Sequence, residues 1–255
     1  MHKLSFIGMG YVGLCTAVCF ANGGFKTIIS TKDPEKIKMA KKGIPSFYEP
    51  QLEELLKKAI KTKNLKAVVG RKGAILETDI SFITVGTPSQ PDGSVDLRFV
   101  EETAKEIGEA LKEKENSHLV VVKSTVPPGT TENLVKTNIE KQSGKTCGRH
   151  FQLCFNPEFL REGNAIYDTL HPDYIVIGEH DKKSGDTLEQ VYKQFYSKST
   201  PPIVRTNLPT AELIKYANNA FLATKISFIN TLANVCEEIP GTDVTKVAEA
   251  IGKDH

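Results

Sequence analysis

Three glycines, Gly8, Gly10 and Gly13, form a G-x-G-x-x-G run (GMGYVG) directly after an apolar stretch and at the start of a helix-patterned one. In that context each glycine has a physical purpose. Gly8 makes a tight turn, Gly10 lets backbone approach a pyrophosphate, and Gly13 allows helix and strand to pack closely. The anion would sit on unpaired N–H groups at a helix N-terminus, where the dipole favours negative charge. The spacing therefore predicts a dinucleotide site. An acid is expected about 20 residues further on, at the end of the second strand, to hydrogen-bond a ribose 2′-hydroxyl. Instead the segment reads Thr27-Ile28-Ile29-Ser30-Thr31-Lys32-Asp33, with Thr31 in the acid's place. A carboxylate there would repel a 2′-phosphate, whereas Ser30, Thr31, Lys32 and Lys36 would hydrogen-bond or neutralise one. The expected cofactor is NAD, with Thr31 or Asp33 serving the ribose, and NADP stays open.

Further residues with chemical potential follow other apolar runs. Val85-Gly86-Thr87-Pro88 and Ser124-Thr125-Val126-Pro127 stand where strands end, the edge at which open α/β sheets bind ligands. Gly86 permits close approach, and Thr87 and Thr125 offer short hydroxyls to ribose or nicotinamide; ordinary turn chemistry accounts for the Gly and Pro equally well. Glu158 follows Asn156-Pro157 at another strand end, as a general base or as a helix-opening acid that answers the dipole. Lys215 and Asn219 lie four apart in a helical segment, so cation and amide share one face.

The elements that must position these groups read as βαβα. Apolar runs at 4–7, 27–29, 67–69, 80–85, 119–122, 151–155 and 174–177 are continuous rather than alternating, as a sheet covered on both faces requires. Amphipathic stretches at 11–22, 50–61, 99–112, 131–141 and 184–196 separate them. The expected fold is α/β: a doubly wound Rossmann-type parallel sheet over residues 1–208, then a long central helix and the start of a helical domain over 209–255. Residues 210–239 contain no Gly or Pro, and a further helix is expected over 242–251.

Composition excludes several functions. Thirty-three Lys and Arg balance 31 Asp and Glu, for a net charge of +2 without long like-charge blocks, so nothing electrostatic recruits nucleic acid or a membrane. The N-terminus carries no signal-like h-region, which leads to the expectation of a cytoplasmic protein. Five cysteines, Cys15, Cys19, Cys147, Cys154 and Cys236, include no C-x-x-C pair and no zinc spacing, so reduced thiols and no metal are expected.

Five strings, in order, carry a resemblance: GMGYVG at 8–13 followed by YEP at 48–50, FITVGTP at 82–88 with Asp92-Gly93 and Asp96-Leu97, KSTVPPGT at 123–130, NPEFLREG at 156–163, and AELIKYANNAF at 211–221. The chain thereby resembles the UDP-glucose/GDP-mannose dehydrogenase family over nearly its whole length, with wording that leans towards the UDP-glucose branch. The resemblance implies an enzyme that oxidises the C6 hydroxyl of a nucleotide sugar twice with NAD(P), leaving a uronic acid for polysaccharide biosynthesis. With Thr31 and Lys36, expected from their place at the end of the second strand, it implies cofactor contacts from Gly8, Gly10, Tyr11, Val12, Gly13, Val85, Gly86, Thr87, Ser124, Thr125 and Glu162. Substrate contacts would come from Glu158, Phe159, Leu160, Arg161, Lys215 and Asn219. In the implied mechanism Glu158 activates the water that hydrolyses a thioester, Lys215 stabilises the developing oxyanion, and Asn219 holds an ordered water with Thr125 opposite.

The same resemblance implies a homodimer through the long helix and a catalytic cysteine in a glycine-rich loop beyond residues 247–251. The sequence ends before such a loop and before a nucleotide-binding domain, so the chain alone is expected to bind dinucleotide without completing turnover. One position departs from the family's P-D-R wording: Pro172-Asp173 is followed by Tyr174. Two other readings are a β-hydroxyacid dehydrogenase, which shares the Rossmann domain and a Lys/Asn pair on a long helix, and a non-catalytic dinucleotide-binding module.

Overall fold

The computed structural model describes residues 1–197 and 199–253. Its strands are β1 (Leu4–Ile7), β2 (Thr27–Thr31), β3 (Leu65–Val69), β4 (Ile80–Ile83), β5 (His118–Val122), β6 (Phe151–Phe155), β7 (Ile175–Glu179) and β8 (Ile203–Asn207). Its helices are α1 (Tyr11–Asn22), α2 (Pro34–Lys41), α3 (Leu52–Lys61), α4 (Lys72–Leu76), α5 (Arg98–Lys112), α6 (Thr137–Ser143), α7 (Ala165–Leu170), α8 (Lys182–Phe195), α9 (Leu208–Glu238) and α10 (Val244–Ile251), with a π-helical stretch at Thr131–Lys136 leading into α6.

One sheet of order β3-β2-β1-β4-β5-β6-β7-β8 results. The chain moves outwards from β1 in one direction and then from β4 in the other, which is the doubly wound order. Every residue of β1, β4, β5 and β6 is buried, which explains why these strands read as unbroken apolar runs. Helix α1 is buried from Gly13 to Ala21, so it carries apolar residues all round instead of a stripe.

The expectation of a parallel sheet holds for every neighbouring pair but one. β7 runs antiparallel to β6, paired only through Cys154↔Glu179 and Phe155↔Gly178. The 156–174 connection, though long enough for a parallel crossover, spends its first part in a loop at the carboxyl edge and holds a helix of only 6 residues. Strand β8 and the short helices α2, α4 and α7 were not foreseen from the pattern, and the strand expected over 80–85 stops at Ile83.

The chain forms two compact units, Met1–Leu213 and Ile214 onwards, and the boundary falls inside α9. The second unit holds the rest of α9 and α10, with Phe221, Leu222, Ile226 and Phe228 exposed. Among the described residues no helix is long and apolar enough to cross a membrane, and no cluster of metal-ligating side chains occurs.

Candidate cofactor site and catalytic loops

At the switch point between β1 and β4 the three glycines have distinct surroundings. Gly8 takes φ +118°, and a Cβ there would lie 2.5 Å from the Thr84 carbonyl oxygen. A Cβ on Gly13 would lie 2.1 Å from the Gly8 carbonyl oxygen. Gly10 is the opposite case: it is exposed, it caps α1 without any side-chain hydrogen bond, and nothing lies within 4 Å of where its Cβ would be. Open space beside an uncapped helix N-terminus fits a pyrophosphate. Tyr11 and Val12, in the first turn of α1, are half-buried.

At the end of β2, Thr31 is half-buried and its hydroxyl accepts from the Asp33 N–H at 3.3 Å. Asp33 is the N-cap of α2, accepting from Glu35 and Lys36 N–H. That duty occupies one of its oxygens. Lys36 is half-buried in the first turn of α2, whereas Ser30 is fully buried in the sheet and unavailable to a ligand.

The loops after β4 and β5 are stitched together. Ser124 Oγ donates to the Val85 carbonyl at 2.6 Å and Thr87 Oγ1 donates to the Thr125 carbonyl at 2.9 Å. The donors of Ser124 and Thr87, expected to meet the cofactor, thus hold the Val85–Thr87 and Ser124–Thr125 segments side by side, with only lone pairs left for a ligand. Gly86 is exposed with open space at its Cβ position, and Thr125 is half-buried.

Two acids to which sequence reasoning assigned no role fix these loops. Glu212, fully buried near the start of α9, accepts from the Gly129 N–H at 2.5 Å and the Thr131 N–H at 2.7 Å, and burial raises its carboxyl above the usual range. Glu49, of the YEP string and 4% exposed, accepts from Gly163 N–H at 2.9 Å and Ala165 N–H at 2.8 Å. Neither acid forms an ion pair among the described residues; backbone donors satisfy them instead. Their only signal in the sequence was an acid inside an otherwise apolar or turn-forming string.

Glu49 secures the loop after β6. Within it Glu158 is half-buried and its Oε2 accepts from Leu160 N–H at 2.6 Å. Leu160 packs on the core. Arg161 is exposed, and its guanidinium is held by Asp168 through Nε at 3.1 Å and Nη2 at 2.6 Å. The Arg161 carbonyl accepts from Tyr11 Oη at 2.6 Å, so the dinucleotide turn and the Glu158 loop are joined directly. Burial, followed by Glu49, pushes the Tyr11 hydroxyl well above its ordinary value, and the charge of the exposed Glu162 contributes. The Phe159 ring lies 5.0 Å from that of Tyr174; where the family wording has an arginine, this chain has an aromatic contact. Behind the loops, the Asn156 carboxamide oxygen accepts from Lys123 Nζ at 3.0 Å and Tyr192 Oη at 2.5 Å.

Lys215 and Asn219 belong to the second unit, on α9, Lys215 buried and Asn219 exposed.

Residues 2–196 match the NAD-binding domain of the UDP-glucose/GDP-mannose dehydrogenase family, and residues 209–255 its central domain. The chain belongs to this family. It is 44% identical over 256 residues to UDP-glucose 6-dehydrogenase TuaD of Bacillus subtilis, covering 100% of this chain and 53% of that protein. The crystal structure of a ternary complex of GDP-mannose dehydrogenase from Pseudomonas aeruginosa aligns with TM-score 0.95 and 41% identity, over 99% of this chain and 57% of that one. A UDP-glucose dehydrogenase from Pyrobaculum islandicum aligns with TM-score 0.92 and 42% identity, over 100% and 57%. The chain therefore spans a little over half the length of these relatives. Family membership separates it from the β-hydroxyacid dehydrogenases, and its first unit carries an NAD-type cofactor site of the family.

Proposed function

We propose that this chain supplies the cofactor site and catalytic loops of an NAD(P)-dependent nucleotide-sugar 6-dehydrogenase, acting on UDP-glucose or a related UDP or GDP sugar. The observation that carries the reading is the joining of the GMGYVG turn to the Glu158 loop: Tyr11 reaches the Arg161 carbonyl, and Glu49 pins Gly163 and Ala165. A bound nicotinamide dinucleotide supplies the hydride acceptor. The chain's own residues then have separable tasks. The open face of Gly10 and the free N–H groups of α1 take the pyrophosphate, the Thr87–Thr125 tie sets the loop edge beside it, and Glu158 serves as general base for water. Lys215 stabilises an oxyanion and Asn219 orders a water, roles of the fixed-donor type that dominate acyl-transfer chemistry. The exposed apolar residues of α9 support a homodimer through that helix, and the setting proposed is cytoplasmic.

Calorimetric titration of the purified chain with NAD⁺ tests the cofactor half of this reading. Saturable binding is expected, and Gly10→Val should abolish it while circular dichroism stays unchanged, because a side chain would fill the space meant for phosphate. Undiminished affinity in Gly10→Val would overturn the assignment. In the enzyme that contains this chain, Lys215→Ala and Glu158→Gln should lower turnover far more than cofactor affinity.

A further inference from the structure

The end of β2 decides how a Rossmann domain treats the 2′ position of the adenosine ribose, because a carboxylate there accepts from the hydroxyl and repels a phosphate. This chain places Thr31 at that point. The neighbouring acid, Asp33, is occupied in capping α2. Two cations adjoin the same edge. Lys32 follows Thr31 directly, and Arg71 follows Gly70, whose N–H donates to the Thr31 carbonyl at 3.0 Å. Both cations are held by two acids of α5. Lys32 Nζ lies 2.6 Å from Glu102 and 2.7 Å from Glu106, and Arg71 Nη1 lies 3.0 Å from Glu106 and 3.7 Å from Glu102.

Two cations and two carboxylates therefore adjoin the ribose position with no net charge. We propose that this subsite accepts a 2′-phosphate as well as a 2′-hydroxyl, so that the chain binds NADP as well as NAD, with Thr31 and the Glu102–Glu106 pair as the residues that set the ratio. The inference rests on the dinucleotide reading above. Thr31 offers a hydroxyl that bonds either group. Lys32 and Arg71 provide charge for a phosphate in proportion to how far Glu102 and Glu106 release them. Lys32 is raised and Glu102 lowered from their ordinary values by their mutual hydrogen bond, so the ion pair competes with any phosphate. Arg71 is 7% exposed. Its planar guanidinium can pair with two phosphate oxygens once Glu102 and Glu106 no longer hold it.

The experiment is calorimetric titration of the chain with NAD⁺ and with NADP⁺ at fixed low salt, for the natural sequence, Thr31→Asp, Glu102→Gln and Glu102→Gln/Glu106→Gln. In the natural sequence NADP⁺ should bind within about tenfold of NAD⁺. Thr31→Asp should weaken NADP⁺ at least about 30-fold through like-charge juxtaposition while NAD⁺ is unchanged or tighter. The double variant should tighten NADP⁺ by about tenfold and leave NAD⁺ unmoved, with Glu102→Gln alone moving in the same direction by less. If NAD⁺ binds but NADP⁺ binds more than about 100-fold more weakly, or if Thr31→Asp leaves the ratio unchanged, the inference is overturned and the dinucleotide reading stands. If neither dinucleotide binds, both fall.

Discussion

Gly10 and Gly13 occur in one hexapeptide, and the structure gives them opposite reasons for lacking a side chain. A Cβ on Gly13 would sit 2.1 Å from backbone of Gly8, whereas one on Gly10 would meet nothing within 4 Å. Gly13→Ala should therefore destabilise by about 3 kcal/mol or more, since the Gly8 backbone and the Thr84 hydroxyl must move, and Gly10→Ala should leave the urea midpoint almost unchanged. Equal midpoints for the two variants would contradict the packing account. Glu49 makes a second case. Its carboxylate accepts from two N–H groups at the end of the Glu158 loop, and a carboxamide offers only one oxygen. Glu49→Gln should cost about 1–2 kcal/mol and speed hydrogen exchange at Gly163 and Ala165 without changing the strands; protection that persists at both amides would show that the loop does not depend on Glu49. Both glycine roles were legible from spacing alone. That of Glu49 was not, because partners 114 and 116 residues away leave no periodic trace.

Elements were readable where burial is continuous and obscure where it is not. β1, α1 and β6 have the bounds their apolar runs predict, since β1 and β6 are buried throughout and α1 is buried from Gly13 to Ala21. Strand β8 follows Pro201-Pro202 with only Ile203 and Val204 apolar and no fully buried residue, and an edge strand needs no more than that. Helix α2 buries only Ile37 and Ala40; its signal lies in Asp33-Pro34, an N-cap followed by a first-turn proline, which a reading of Asp33 as a ribose ligand passes over. The opposite edge of the sheet holds a different kind of hidden feature. His118, which begins β5, is fully enclosed. Its Nδ1 lies 3.0 Å from Lys114 Nζ and its Nε2 lies 2.8 Å from Ser81 Oγ, which is 2.7 Å from Ser5 Oγ. Burial, and then the Lys114 charge, lower the His118 pKa to about 3. The unfolded chain thus takes up a proton that the folded chain refuses. This contribution to stability is fully present above pH about 6.5 and is lost as pH falls from there towards about 3. His118→Gln should flatten the acid side of a thermal-melting profile over that window. A variant profile parallel to the natural one would exclude His118 as the cause.

At the scale of the whole molecule, the division of labour between the two units bears on what the chain can do by itself. The first unit brings the cofactor turn, the Thr125 loop and the Glu158 loop to one edge of one sheet, and the second carries Lys215 and Asn219. A double oxidation that ends in a thioester also requires a thiolate able to reach the sugar's C6. The chain's cysteines do not provide one. Cys15, Cys19, Cys147 and Cys154 are buried, and burial pushes the thiols of Cys19 and Cys147 up to about 12 and those of Cys15 and Cys154 higher still. A nucleophilic cysteine needs the reverse, an electropositive and partly open site that favours the thiolate. Cys236 is only half-buried, but it lies within α9, far along the helix from Lys215: at about 1.5 Å per residue, the rise between them is about 30 Å. The 255-residue chain should therefore bind dinucleotide and yet yield no UDP-glucuronate when UDP-glucose is added, even at enzyme concentrations comparable to substrate. Absorbance at 340 nm is the direct readout, and a single-turnover mixture separates a missing step from a slow one. If the isolated chain yields UDP-glucuronate with two reduced cofactors per product, the cysteine-dependent route is wrong for this protein. If it yields one reduced cofactor and an aldehyde, the first hydride transfer needs nothing beyond these two units, and the thiol enters only at the second.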